Sequence, residues 1–153
     1  MAARRPTLRR WTLATAVAGA LDILSAFVFA GMAGKSAEFV LRYVASGPFG
    51  DRALSGPIGW AAAGLAVPFA IMAVIAAIYL TAARRMPALD RNAVAAGLIY
   101  GLLVWGVMYW IVKPLRWPDA PLPHTAWGIG NALFSHCLLV GLPIALIARR
   151  RQG

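Results

Sequence analysis

Four apolar segments, each long enough to cross a bilayer, constrain this chain more than any other feature. They cover approximately residues 11–33, 58–83, 92–112 and 126–148. A membrane-spanning helix needs about 20 consecutive, predominantly apolar residues. Hydrophobic residues make up 61% of the chain and charged residues only 13%, which is far more apolar than a soluble domain. The sequence therefore predicts an all-α polytopic membrane protein, a four-helix transmembrane bundle that forms a single domain over residues 1–153.

The lysines and arginines are distributed unequally between the two ends of these segments. Ten of the 15 flank the ends that share a side with the chain termini, and five lie on the opposite side. The larger group comprises Arg4, Arg5, Arg9, Arg10, Arg84, Arg85, Arg91, Arg149, Arg150 and Arg151. Since short cytoplasmic loops carry the excess of basic residues, this bias predicts that the N- and C-termini both lie in the cytoplasm. The net charge of +10 is thus a topology signal, and no nucleic-acid partner is predicted.

The connection between the first and second spans contains an amphipathic segment at about residues 35–46. Lys35, Glu38 and Arg42 share one helical face, and an apolar group occupies the other. This pattern predicts a short helix that lies in the membrane interface and ends near Gly47. We expect membrane lipids to be its partners, with Lys35, Arg42 and Arg52 as candidate contacts for anionic headgroups.

A single carboxylate, Asp22, interrupts the first span. Counted from the basic residues at the cytoplasmic ends, Asp22 and His136 of the fourth span lie at about the same depth, roughly 18 to 20 Å. An ionisable side chain at this depth is costly and usually faces the interior of the bundle. We therefore treat Asp22 and His136 as a candidate intramembrane pair. Either the pair relays protons or binds a polar or cationic substrate, or neighbouring hydroxyl and carbonyl groups satisfy each residue separately.

Further polar side chains accompany this pair and form a candidate supporting face: Ser25, Asn131 and Ser135. The residues of the fourth span suggest a hydrated crevice that opens toward the outer side. The alternative is hydrogen bonding between helices that holds the bundle together.

Small residues at four-residue spacing recur on three of the spans. These are Ala14 and Ala18 in the first, Ala62, Ala66 and Ala70 in the second, and Ala93, Gly97 and Gly101 in the third. Such stripes allow close packing of helices in membranes. Because a four-helix bundle does not easily use all of them internally, they favour a homo-oligomer or a larger membrane-protein complex.

The sequence offers no positive sign of enzymatic chemistry. It contains neither a catalytic triad, nor a metalloprotease motif, nor a nucleotide-binding motif, and its two histidines are too far apart for a metal site. No cofactor or metal is predicted. The first functional reading is a non-enzymatic oligomeric or accessory subunit of a membrane complex. The alternatives are a small transporter or proton-conducting protein built on Asp22 and His136, and a membrane enzyme that acts on lipid or quinone.

Short motifs along nearly the whole chain resemble the YagU-like small bacterial inner-membrane proteins. The motifs lie at residues 19–23, 46–50, 82–85, 112–115 and 136–143. The resemblance implies a location in the bacterial inner membrane and the same multi-pass topology. Some relatives carry a histidine in the second span near the position of Phe69, and this chain does not. An association of one relative with acid tolerance would suit a titratable intramembrane pair.

Overall fold

The computed structural model describes residues 4–149, with side chains from residue 7 onward, and every regular element in that range is helical. Four helices within it are long and apolar enough to cross a membrane: Thr7–Met32, Gly59–Arg85, Ala93–Arg116 and Ala126–Ala148, named here the first to fourth spans. The predicted all-α polytopic bundle is therefore confirmed. The structure does not describe the side chains of four arginines that contribute to the charge bias: Arg4, Arg5, Arg150 and Arg151.

The connecting helix, Ala37–Phe49, joins the first two spans. It begins at Ser36, whose hydroxyl accepts a hydrogen bond from the Phe39 amide at 3.1 Å, as an N-cap should. It extends past the predicted end because Pro48 is accommodated within it and Gly50, at a φ of 81°, ends it instead. Short helices, Arg52–Ser55 and Pro87–Arg91, occupy the turns before and after the second span.

The two ends of the bundle differ in packing. We call the end with the connecting helix the capped end, and the end with both chain termini the basic end. At the basic end the first, second and fourth spans share a core in which Ala14, Ala18, Ala76, Val140 and Ile144 are fully buried. The predicted small-residue face of the first span is therefore used inside the bundle.

The third and fourth spans approach closely through glycines. A Cβ atom on Gly101 would meet the carbonyl group of His136, and one on Gly141 would meet the backbone of Gly97 and Gly101. Only glycine fits such an approach of two backbones. The predicted small-residue face of the third span is thus also used internally.

The second span packs differently from the prediction. Its buried face contains Gly64, Pro68 and Met72, and Gly64 lies directly against the carbonyl group of Leu41 in the connecting helix. In the predicted stripe Ala62 and Ala66 are exposed, and Ala70 lines the cavity between the second and third spans. The second span crosses the connecting helix at Gly64, where the methyl group of an alanine would collide with the backbone of Leu41. The face that contains Gly64 therefore packs inward in place of the alanine stripe.

Two spans change from α- to π-helical geometry along their length. The π-helical segments are Met108–Val112 in the third span and Phe134–Gly141 in the fourth, and Pro114 and Pro143 each follow one of them by two residues. Proline lacks an amide hydrogen and collides with the carbonyl of the preceding turn, and a wider turn relieves both problems. For this reason the third span continues to Arg116 instead of ending at residue 112 as expected.

The second and third spans are held apart toward the capped end. Among the described residues their backbones do not pack on each other, and they meet through Tyr100, whose hydroxyl donates to the Ile75 carbonyl at 2.7 Å. Beyond this bond the two helices enclose a cavity, which the first and fourth spans close from behind.

Candidate functional site

A cavity of about 830 Å³ occupies the space between the second and third spans. Its deep part, the floor, carries Asp22, Tyr109 and His136, and its roof at the capped end carries Tyr43, Lys113, Arg116 and Trp117. Aliphatic side chains of the second and third spans form most of the remaining wall. Ligand sites are commonly apolar cavities of this size with a few convergent polar groups.

Asp22 and His136 face the cavity together from the first and fourth spans. Each lies ten residues from the capped end of its helix, Met32 or Ala126, which corresponds to a depth of roughly 15 Å. The two side chains interact electrostatically, but among the described residues neither a hydrogen bond nor an ion pair joins them. The carboxylate of Asp22 therefore lies in an apolar cavity without a direct partner in the described chain.

The backbone fixes the orientation of the His136 ring. Its Nδ1 atom lies 2.8 Å from the carbonyl oxygen of Ala132, one turn earlier. Because a carbonyl oxygen only accepts hydrogen bonds, Nδ1 carries the proton of the neutral ring, and Nε2 is the atom that accepts a further proton. The floor thus contains two proton acceptors, the Asp22 carboxylate and the His136 imidazole.

Tyr109 is the floor residue that the sequence analysis does not single out. Its ring packs edge-on against His136, with ring centroids 5.7 Å apart, and its hydroxyl interacts electrostatically with Asp22. Tyr109 and His136 both lie in the π-helical segments. Their proximity to Pro114 and Pro143 is the sequence signal that links them, since π-helical turns are frequent at functional sites.

The polar face of Ser25, Asn131 and Ser135 lies beside the cavity and does not line it. The Ser25 hydroxyl donates to the Asp22 carbonyl oxygen at 2.9 Å and lies 3.2 Å from the Ser135 hydroxyl, whose proton joins the first span to the fourth. The Asn131 Oδ1 atom lies 3.5 Å from the Ser135 hydroxyl, one turn away on the same helix. In this arrangement Ser25 and Ser135 connect two helices, whereas Asn131 contacts Ser135 within the fourth span.

Arg116 anchors the roof of the cavity to the connecting helix. Its Nε donates to the carbonyl oxygens of Ser46 and Gly47 at 2.8 and 3.0 Å, and its Nη2 forms an ion pair with Asp51 at 2.7 Å. Lys113 likewise donates to the Pro121 carbonyl at 2.6 Å. Both cations of the roof therefore have acceptors of their own.

Aromatic stacking completes the roof. The rings of Tyr43 and Trp117 are stacked, with centroids 4.8 Å apart and an interplanar angle of 12°. Burial raises the pKa of Tyr43, and the nearby positive charge of Arg116 opposes that shift, so Tyr43 is a neutral phenol at physiological pH. The indole N–H of Trp117 is buried and has no hydrogen-bond acceptor in the described part of the chain.

The candidate headgroup contacts of the connecting segment lie outside the cavity lining. Lys35 is exposed, with its ammonium group 5.1 Å from the centre of the Phe39 ring. Arg42 pairs with Glu38 at 2.8 Å and donates to the Gly56 carbonyl at 2.5 Å, whereas Arg52 donates to the Phe49 carbonyl at 3.0 Å. Arg42 and Arg52 thus have partners within the segment, and Lys35 is the most accessible of the three.

No group of three metal-ligating side chains occurs among residues 7–149. In the comparisons with known proteins, no family model, curated protein or solved structure matches the chain. The functional interpretation therefore depends on the cavity itself.

Proposed function

We propose that this integral membrane protein is a small, non-enzymatic, proton-translocating carrier, with Asp22 and His136 as the groups that bind and release the proton. One observation carries the proposal. A carboxylate without a direct partner and an imidazole whose Nε2 is available as an acceptor face the same open cavity, at the same depth in the bundle. An ionisable group inside a membrane bundle commonly marks a proton or substrate pathway.

The cavity favours this function over a purely structural role for Asp22. A structural aspartate would be expected to be enclosed by hydrogen-bond donors of the bundle, because an unpaired polar group in hydrocarbon is costly. Asp22 instead lines a space of about 830 Å³, large enough for water and a small molecule. The hydrogen bonds between helices are made nearby by Ser25 and Ser135.

Proton uptake into liposomes tests the proposal. We expect vesicles that contain the protein to take up protons under a potassium-diffusion potential faster than empty vesicles. Asp22→Asn should remove the excess rate, because the amide does not exchange a proton in this range. Asp119→Asn is the matched control, since Asp119 is exposed and lies outside the cavity lining. Equal proton uptake by the wild type and Asp22→Asn would refute the proposal.

His136 offers an independent test with its own control. His136→Gln should slow proton uptake, whereas His124→Gln should leave it unchanged, because His124 lies in the exposed loop before the fourth span. Both variants should remain folded in detergent, as judged by gel filtration and circular dichroism. A proton-uptake rate that His136→Gln leaves unchanged would show that Asp22, and not His136, binds and releases the proton.

A second candidate function, a subunit of a homo-oligomer or of a larger membrane complex, is favoured by the exposed small residues Ala62 and Ala66 of the second span. Membrane helices associate through faces of small residues at this spacing. Ala66→Leu should then shift the protein to smaller species in native mass spectrometry. Ala95→Leu, on the exposed side of the third span, is the control. A wild type that is monomeric in mild detergent would contradict this candidate.

We further propose a bacterial inner-membrane location with both termini in the cytoplasm, supported by the unequal distribution of basic residues. We also propose that the chain is a member of the YagU-like proteins, and the short motifs are the support for this proposal. The lipid- or quinone-processing alternative draws less support, because Lys35, Arg42 and Arg52 lie away from the cavity.

A further inference from the structure

The cavity has a distinct polarity between floor and roof. At the floor the Asp22 carboxylate and the Nε2 atom of His136 are acceptors, and Asp22 forms no ion pair in the described part of the chain. At the roof the guanidinium of Arg116 is paired with Asp51, and the ammonium of Lys113 donates to the Pro121 carbonyl. Asp22 is therefore the one acidic side chain in the cavity lining, and it lies at the floor, away from the acceptors that hold the two roof cations.

The walls of the cavity suit a bulky apolar ligand. Tyr43, Phe49, Tyr109 and Trp117 present aromatic rings, and aliphatic side chains of the second and third spans form the sides. Lys113 and Arg116 already lie over the faces of Tyr109 and Trp117, at 5.5 and 5.2 Å from the ring centres, so the rings supply apolar surface and the Asp22 carboxylate supplies the attraction for a cation. A volume of about 830 Å³ accommodates a drug-sized molecule.

From these observations we propose that the cavity binds a hydrophobic organic cation, with its positive charge at Asp22 and its apolar groups between the second and third spans. The inference rests on the proposed function, because the cation and the translocated proton compete for the same carboxylate. The cation binds when Asp22 is ionised, and a proton that returns to the floor displaces it.

The groups that face Asp22 determine how binding depends on pH. The fourth span contributes His136, the third span Tyr109 and, at the roof, Lys113 and Arg116, and the connecting helix contributes Tyr43. No residue of the second span that lines the cavity is titratable. A proton on the Asp22 carboxyl group removes the negative charge that attracts the cation, so the affinity for a cation increases as pH rises.

Two ions of nearly the same size and shape but opposite charge, tetraphenylphosphonium and tetraphenylborate, provide the test. We expect calorimetry on the detergent-solubilised wild-type protein to detect binding of tetraphenylphosphonium, with an affinity that increases with pH and with proton release on binding. Asp22→Asn should weaken this binding by about thirtyfold or more, as loss of a buried ionic partner does. Asp119→Asn should bind as the wild type does, and tetraphenylborate should bind more weakly than tetraphenylphosphonium.

Equal affinity of the wild type and Asp22→Asn for tetraphenylphosphonium, or tighter binding of tetraphenylborate, would overturn the inference. If Asp22→Asn does not fold, the test uses the wild type and Asp22→Glu. Binding of tetraphenylphosphonium that is independent of pH and releases no proton would then equally overturn the inference. The proposed function is tested separately. Proton uptake without binding of tetraphenylphosphonium refutes only the organic-cation inference, whereas binding without proton uptake refutes proton translocation.

Discussion

At the scale of single residues, the molecule separates two kinds of intramembrane polar group. Ser25 and Ser135 join two helices through their hydroxyl groups, and Ser135 is buried. Asp22 lies three residues from Ser25 but faces the cavity instead. The contacts of each side chain, rather than its depth in the membrane, therefore assign one group to packing and the other to the cavity.

The hydrogen bond between Ser25 and Ser135 should make a measurable contribution to stability. In a double-mutant cycle of Ser25→Ala and Ser135→Ala, we expect a coupling free energy of about 0.6 kcal/mol, as is usual for hydrogen bonds between membrane helices. Unfolding in mixed micelles of increasing denaturing-detergent content provides the measurement. Strictly additive effects of the two substitutions would mean that the hydroxyl groups do not interact.

At the scale of helices, proline and glycine shape the site. Pro114 and Pro143 follow the two π-helical segments, which contain Tyr109 and His136. Gly101 allows the third span to approach the fourth at His136, so a backbone contact holds the histidine-bearing segment in place. Residues with no reactive groups thus position those that face the cavity.

Substitution of Gly101 tests this close approach. Gly101→Ala should lower the free energy of unfolding by about 2 kcal/mol, because the added methyl group meets the carbonyl of His136 and the backbones have to separate. Gly106→Ala is the matched control on the same span, since no atom lies within 4 Å of its added methyl group. Equal stability of the two variants would show that the third and fourth spans do not cross at Gly101.

The four spans and the connecting helix were predictable because hydrophobic length and amphipathic spacing are local properties of the sequence. The shared depth of Asp22 and His136 also follows from counting residues. The cavity could not be predicted in this way, because it forms where the second and third spans separate. Their separation depends on the packing of residues that are distant in the sequence, such as Gly64 against Leu41. Tyr109 joins the site for the same reason.

At the scale of the whole molecule, one end is closed and the other contains the cavity. The buried core lies toward the basic end, whereas the connecting helix and Arg116 cover the cavity at the capped end. With the proposed cytoplasmic termini, the cavity would belong to the outer half of the membrane. A proton or cation would then enter or leave from the outer side first.

Cysteine labelling tests this orientation. In a Cys137→Ala background, a membrane-impermeant maleimide added to intact spheroplasts should label Asp119→Cys at the capped end. It should reach Arg85→Cys at the basic end only after the membrane is permeabilised, because both positions are exposed but lie at opposite ends of the bundle. The reverse pattern would place the termini outside the cytoplasm.

Infrared titration of Asp22 tests the proton-exchange proposal most directly. Spectra of the wild-type protein in lipid should contain a carboxylic C=O band that is absent from Asp22→Asn. We predict that this band disappears as pH rises and shifts promptly in D₂O, as proton exchange through the cavity requires. A band that neither titrates nor exchanges, or identical spectra for both proteins across the pH range, would contradict a solvent-accessible, proton-exchanging Asp22.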